Sequence, residues 1–250
     1  MLKALFGLPL RQATGLVTSL LKLAKLDWPV PDYSTLCRRQ KDLTVTIPYR
    51  SSMGALHLLV DSTSIKAMGE GEWSTRKHGA SRPRQWCKVH LRIDAGTLEV
   101  RAIEVTGSRV GDGPVLPKLL EQIPPEERID TVTADGAYDT RGCHAAVAAR
   151  EAMAVIPTRR NGRPWKETTP GAQARNDILR ASRRFGRAIW RSWSGYHRRS
   201  LIEAKMRCMK LLGERLMART SDRQTAELQI RAARLNRFTV LGTPETVRVA

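Results

Sequence analysis

Hydrophobic and polar positions along the chain change period twice. From 9 to 26, Leu10, Ala13, Val17, Leu20, Leu21 and Ala24 recur near helical spacing. Trp28-Pro29-Val30-Pro31 ends that helix, because proline offers no amide and fixes its own φ. Asp32 or Ser34 can cap a second short helix running to Leu43. With its basic residues, this pair reads either as part of a helix-turn-helix or as two helices packed on a neighbouring domain. Pro48 to Met53 is a polar connector.

Beyond the connector the period falls to two. His57-Leu58-Leu59-Val60-Asp61 suits a buried strand that ends in a carboxylate. Residues 62–84 read as a polar, glycine-rich loop. Cys87, Val89, Leu91 and Ile93 then alternate with Lys88, His90, Arg92 and Asp94, predicting a half-buried strand. Asp94-Ala95-Gly96-Thr97 turns the chain into a return strand from Leu98 to Val105. A helix is predicted from Gly113 to Gln122, a strand from Ile129 to Ala134 with Asp135 at its end, and a helix after Asp139 or Thr140. A short strand at 154–156, a polar loop at 157–170 and a helix at 171–191 follow. A further helix is expected from Gly195 to Arg219, and a last one from Asp222 to Arg237. Hairpin strands followed by alternating α/β units predict a mixed sheet with helices on its faces. The expected divisions are a helical region at 1–50, a catalytic domain at 51–240 and a tail at 241–250. There are no internal repeats.

Charge changes the picture. The 250-residue chain carries a net charge of +19. Residues 158–220 hold 17 Lys and Arg against four acids, Glu167, Asp177, Glu203 and Glu214. An ordinary solvated surface mixes the signs, so this asymmetry points to nucleic acid as partner. The four cysteines lack metal-ligand or disulfide spacing, and Cys143-His144 has no second half to complete a zinc site. No run approaches the ~18 apolar residues of a membrane span, and the apolar start makes a poor signal peptide. A reduced, cytoplasmic protein is expected.

Within the basic stretch, Tyr196, Arg199, Glu203 and Lys210 are spaced by offsets that fall within about 60° of one another on a helix turning about 100° per residue. One acid among two cations and a phenol is odd for a polyanion binder, but suits a group that holds a divalent metal beside a phosphate. Asp61 and Asp135, at the ends of two strands, would repel each other if those strands were neighbours, unless a cation lay between them. With Glu203 they make three hard oxygen donors, the set that Mg²⁺ or Mn²⁺ prefers. Two such ions can support phosphodiester chemistry. Each residue also has a plainer role: the aspartates as turn caps, and Glu203 as the i+4 partner of Arg199.

Tyr196, Arg199, Glu203 and Lys210 match the Y-x2-R-x3-E-x6-K signature, and the chain resembles the bacterial insertion-sequence transposases of the DDE type that carry it. Leu59-Val60-Asp61-Ser62-Thr63 and Ala134-Asp135-Gly136-Ala137-Tyr138-Asp139 resemble that family's other two motif blocks. The resemblance spans residues 5 to 240. It implies an RNase H-like catalytic fold, with Asp61, Asp135 and Glu203 as a metal-binding triad for two Mg²⁺ or Mn²⁺ ions. It also implies cleavage of double-stranded DNA at transposon ends and joining of the 3′-OH to target DNA, by a homodimer at the bacterial nucleoid. Arg199 and Lys210 would grip phosphates, and Tyr196 would bond a phosphate or stack on a base. Lys66, Lys88, His90, Arg198, Lys205 and Arg207 are further candidate DNA contacts. Trp190 and Trp193 read as core packing in a region where related enzymes handle a distorted base. Family members are longer at the N-terminus, so a shortened DNA-binding region is expected. The alternatives are a catalytically silent DNA-binding regulator and an RNase H-like nuclease.

Overall fold

The computed structural model describes residues 2–43, 45–50, 54–67 and 86–242. Its spine is β1, Leu56–Ala67, the longest strand. β2 (Trp86–Asp94) lies antiparallel to β1, and β3 (Val100–Gly107) antiparallel to β2. On the other side of β1, β4 (Ile129–Thr133) and β5 (Met153–Val155) run parallel. The order is β3-β2-β1-β4-β5, with the two-residue β6 (Arg215–Leu216) pairing with the far end of β1.

Alternation along β1 sorts the core into two layers. Leu56, Leu58 and Val60 pack with α4 (Leu116–Glu121), α5 (Arg141–Ala148) and their neighbours Val132 and Tyr138. Leu59 and Ile65 face the opposite layer, α8 (Ser200–Leu211) and α9 (Ser221–Leu241), through Ile202, Met206, Leu228 and Leu235. The result is a mixed sheet flanked by helices, consistent with the RNase H-like class expected from the sequence.

Three expectations change. β1 does not stop at Asp61, because β2 pairs with it as far as Lys66↔Trp86 and β6 extends the pairing to Ala67. Residues 62–67 are therefore strand, and the rest of the expected loop, 68–84, lies outside the described residues. The helix expected at 171–191 breaks at Gly186, whose φ of +86° interrupts α6 (Ala172–Phe185) before α7 (Arg187–Trp193). The long helix expected from Gly195 to Arg219 is shorter and composite. Tyr196–Arg199 form a 3-10 turn, α8 follows, and Gly213 (φ +141°) redirects the chain into β6.

Of the short N-terminal helices α1 (Leu2–Leu5), α2 (Leu10–Leu23) and α3 (Tyr33–Lys41), α1 and α3 rest against α9 and α2 packs on both of them. Lys3 Nζ lies 3.3 Å from Glu227, and Arg223 Nε donates to the Cys37 carbonyl at 3.0 Å. The connector is fastened too: Asn236 Nδ2 donates to the Pro48 carbonyl, and Arg50 pairs with Glu99 at 3.0 Å. These contacts pack the N-terminal helices onto α9.

Behind β4 a buried charge cluster fixes the chain. The Asp139 carboxylate accepts from Arg175 Nε (2.8 Å) and Nη2 (3.1 Å) and from the Arg159 amide (3.0 Å), with His144 Nε2 at 3.3 Å. Arg175 also lies over the Trp165 ring at 4.1 Å. Thus one carboxylate ties α5, α6 and the 157–170 loop to the turn that follows β4. Burial opposes its charge, but the bonds from His144, Arg175 and the Arg159 amide prevail and hold its pKa well below the usual carboxylate range. Asp139→Asn leaves the buried Arg175 without its counter-ion and is expected to cost roughly 3–5 kcal/mol in urea denaturation at pH 7. A group with a lowered folded pKa stabilises above its unfolded value of about 4 and loses that effect as the pH falls. The gap between wild type and variant should therefore narrow below about pH 4.

Candidate active site

The parallel pairing of β1 with β4 ends at Leu59↔Thr133. Asp61 and Asp135 each follow two residues later, so they occupy matching positions just past the last paired rung. β1 continues straight there, while β4 turns away. Asp135 caps the 3-10 turn Gly136–Tyr138 by accepting from the Ala137 amide at 2.9 Å. Asp61 accepts from the Ser62 amide at 2.8 Å. The odd-numbered face of β1 carries Asp61 toward α8, whose first turn supplies Glu203.

These three carboxylates converge on one guanidinium. Arg199 Nη2 lies 2.9 Å from Asp61 Oδ2 and 3.9 Å from Asp135 Oδ2, and Nη1 lies 3.0 Å from Glu203 Oε1. Exposure rises from Asp61 (14%) through Asp135 (35%) to Glu203 (56%), so the group opens outward along α8. Burial pushes the Asp61 carboxyl up, and Asp135 adds to this, while Arg199 and the Ser62 amide pull it back. Burial opposes the Arg199 charge, yet Asp61, Tyr196, Asp135 and Glu203 raise its pKa above the ordinary arginine value. Beside them a cleft of about 370 Å³ is lined by Asp61, Ser62, Thr63, Glu203, Met206, Arg207 and Lys210.

The fit to a metal is chemical rather than already formed. Three hard oxygen donors gathered around a cation are a set whose chemistry suits a divalent ion. Among the described residues, no three acidic, histidine or cysteine side chains are gathered closely enough to hold an ion as they stand.

The other expected residues divide. Arg207 and Lys210 are exposed on the cleft wall. Arg198 is exposed too, and its Nη1 lies 3.3 Å from His57 Nδ1. Tyr196 is half-buried against Trp190, ring centroids 5.8 Å apart, and burial raises its phenol pKa. Lys205 faces the opposite flank, where it donates to Thr239 Oγ1 at 3.0 Å and burial lowers its pKa. Lys66 lies half-buried near the far end of β1, paired with Trp86 and Arg215. Lys88 pairs with Asp112 at 2.9 Å. His90 is fully buried, with Nε2 2.9 Å from Thr106 Oγ1 and Nδ1 3.4 Å from Asp112, so a direct DNA contact from it is corrected to an interior position. Trp190 packs with Val155 and Ile178 as expected, but Trp193 is 74% exposed and meets only Phe185 edge-on among the aromatic pairs described.

Two residues near the site were not anticipated. His57 joins β1 to Thr133 (Nε2 to Oγ1, 3.1 Å) as well as to Arg198, and so braces the turn that carries Arg199. Its position at the start of the strand, on the same face as Asp61, was a usable signal. Tyr138 is fully buried, and its hydroxyl has no hydrogen-bond partner among the described residues.

A family model described as "Transposase DDE domain" matches residues 52–237, most of the chain. The chain belongs to the DDE transposase family. A second model of the same description matches residues 1–70. As a DDE transposase it is a DNA cleavage and transfer enzyme of the kind that uses divalent metal ions, and DNA is its partner. Among solved structures, the chain is similar to one from a cryo-EM study of the simian T-cell lymphotropic virus intasome in complex with PP2A regulatory subunit B56 gamma. That match is 13% identical and covers 87% of this chain and 74% of the other, with a TM-score of 0.28, too low to carry an argument. No helix among the described residues of this transposase is long and apolar enough to cross a membrane.

His90 separates surface from interior roles. Burial lowers its pKa to about 4 against the pull of Asp112. The unfolded chain takes up a proton near pH 6.5 that the folded chain refuses, so stability is full above about 6.5 and falls as the pH drops toward 4. His90→Gln should flatten that decline, worth roughly 2–3 kcal/mol for wild type, in urea titrations at pH 7 and 4.5. The same variant should leave DNA affinity at pH 7 unchanged.

Proposed function

We propose that Asp61, Asp135 and Glu203 are the residues that hold the divalent cations, Mg²⁺ or Mn²⁺ and two in number. The reaction is then cleavage of double-stranded DNA at transposon ends and transfer of the 3′-OH to target DNA, with a pair of chains acting on a pair of ends. The observation that carries this reading is the convergence of all three carboxylates on one cation at the mouth of a basic cleft. Carboxylates so close repel unless neutralised, and Arg199 neutralises them in the folded chain, which marks the group as a seat for a cation.

The side chains divide the work. Asp61, the deepest, is anchored by the Ser62 amide and meets Arg199 at 2.9 Å. Asp135 is oriented by its own capping bond, and Glu203 approaches from α8. Bound ions supply the Lewis acidity that activates an attacking oxygen and stabilises the leaving one. Lys210 and Arg207 face the same cleft and are suited to hold phosphates flanking the reacting bond. Arg198, braced by His57, extends the cationic surface on the other side. Tyr196, packed against Trp190, is suited to meet the DNA backbone or a base beside Arg199. We assign Lys205, Lys88 and His90 supporting rather than DNA-facing parts.

In a strand cleavage and joining assay with Mg²⁺ and DNA carrying the element's ends, Glu203→Gln should lower the rate about 10²–10³-fold, the loss of several kcal/mol of transition-state stabilisation. Its DNA binding should persist. Wild-type protein that binds DNA but never cleaves it would overturn the reading in favour of a silent regulator, and cleavage of branched DNA without joining would favour a nuclease.

Binding itself should depend steeply on salt. With six or more phosphates engaged by the cleft and the 158–220 surface, affinity is expected to fall about 10³-fold between 50 and 200 mM salt. Fluorescence anisotropy on a labelled duplex measures the slope, and a flat response would remove that surface from the interface.

A further inference from the structure

Arg199 has a position that a phosphate-gripping residue does not need. Its guanidinium touches all three carboxylates of the triad, using Nη2 for Asp61 and Asp135 and Nη1 for Glu203. Its Nε is buried without a hydrogen-bond partner among the described residues. The same oxygens are the proposed ion ligands. A guanidinium and a divalent cation cannot share them, because two positive centres would face each other across contact distance. For ions to enter, the guanidinium has to leave, and a cation leaving three carboxylates needs another anion.

A DNA phosphate is such an anion. Arg199 ends the short 3-10 turn Tyr196–Arg199, next to exposed Arg198 and above the cleft that Arg207 and Lys210 line. A phosphate drawn in by those cations meets the planar, five-donor group suited to bidentate capture. We propose that Arg199 is the resident counter-cation of the triad, and that its transfer to a DNA phosphate frees the carboxylates, so that DNA and divalent cations bind cooperatively. In the absence of DNA the guanidinium competes with the ion. With DNA in place the competition is lifted. By linkage, each partner raises the affinity of the other by the same factor. The inference rests on the triad assignment made above, and adds to it an order of assembly that withholds the ions until substrate is bound.

The test is Mn²⁺ affinity, read by electron paramagnetic resonance of free Mn²⁺ on the full chain, with and without a saturating mixed-sequence duplex at low salt. Wild type without DNA should bind Mn²⁺ weakly. Arg199→Gln should bind it at least about 10-fold more tightly, since each tenfold is about 1.4 kcal/mol of competition removed. In that variant the gain in Mn²⁺ affinity on adding DNA should shrink well below the wild-type gain. Arg199→Lys keeps the charge and the stem but not the fork. It is expected to fall between the two, and it serves as the test if the glutamine variant does not fold. Mn²⁺ affinity unchanged in whichever variant folds overturns the proposal while leaving the triad assignment intact. The assignment itself is checked separately by Asp61→Asn, which should abolish Mn²⁺ binding in both the wild-type and the Arg199→Gln backgrounds. If Mn²⁺ binding survives Asp61→Asn, the ion does not sit on the triad, and the assignment falls along with the proposal built on it.

Discussion

Three carboxylates brought together where the β1–β4 pairing ends repel one another, and the surrounding elements hold them there against that repulsion. Asp61 and Asp135 are fixed at matching positions past the last β1–β4 rung, so neither can retreat. Glu203 is delivered by a helix whose buried face, Ile202, Met206 and Met209, is committed to the core. In the folded chain the cation that relieves this group is Arg199. On the proposed triad, the residue that relieves the repulsion is also the one that an incoming ion would have to displace. That proposal would join ion affinity and substrate contact at one side chain.

β1 explains why the site has the depth it has. A strand ending at Asp61 would leave that carboxylate at a loose terminus. Continuing to Ala67, with β2 on one side and β6 beyond, holds Asp61 within paired backbone and largely buried. β4 ends early, and its turn leaves Asp135 more exposed. The Asp139 cluster keeps that turn from drifting, because Arg175 and the Arg159 amide reach the same carboxylate from separate segments. The site therefore has a rigid inner member, a capped middle one and an outer one on a helix.

Much of this was legible in the sequence, though not always for the right reason. The two aspartates stood out as strand-end acids. One is in fact mid-strand, and what ends beside it is the pairing with β4, which no single strand's pattern can reveal. The tyrosine–lysine stripe was derived from one unbroken helix. The structure divides it into a 3-10 turn and α8, yet Arg199 and Glu203 still meet at 3.0 Å, because their separation crosses the junction without a change of direction. Period-two alternation set Lys88 and His90 on one face of β2 but could not tell which face is covered. The segment after β3 covers it with Asp112, and that contact is long-range. Gly186 and Gly213 interrupt the predicted helices because both take a positive φ, and only at Gly213 does a packed neighbour add to that. A Cβ at Gly213 would lie 2.8 Å from Arg231.

The basic charge needs a distinction that composition alone hides. Several arginines of the 158–220 stretch are engaged inside the protein, and it would be easy to subtract them all from the DNA-binding field. Arg183 donates to the Gly162 carbonyl and Arg187 to that of Thr158. A carbonyl accepts a hydrogen bond without cancelling the charge, so these residues stiffen their loop and still project a positive field. Only pairing with a carboxylate removes charge, as at Arg175 with Asp139, Arg180 with Asp177 and Arg199 with the triad. Of these three, the Asp139 pair is buried and the Arg180–Asp177 pair is a local one on the surface. The Arg199 pairing is different. If divalent ions replace the guanidinium, its charge is released to the cleft when phosphate is present to receive it. The field that draws DNA in and the site that cuts it then strengthen together.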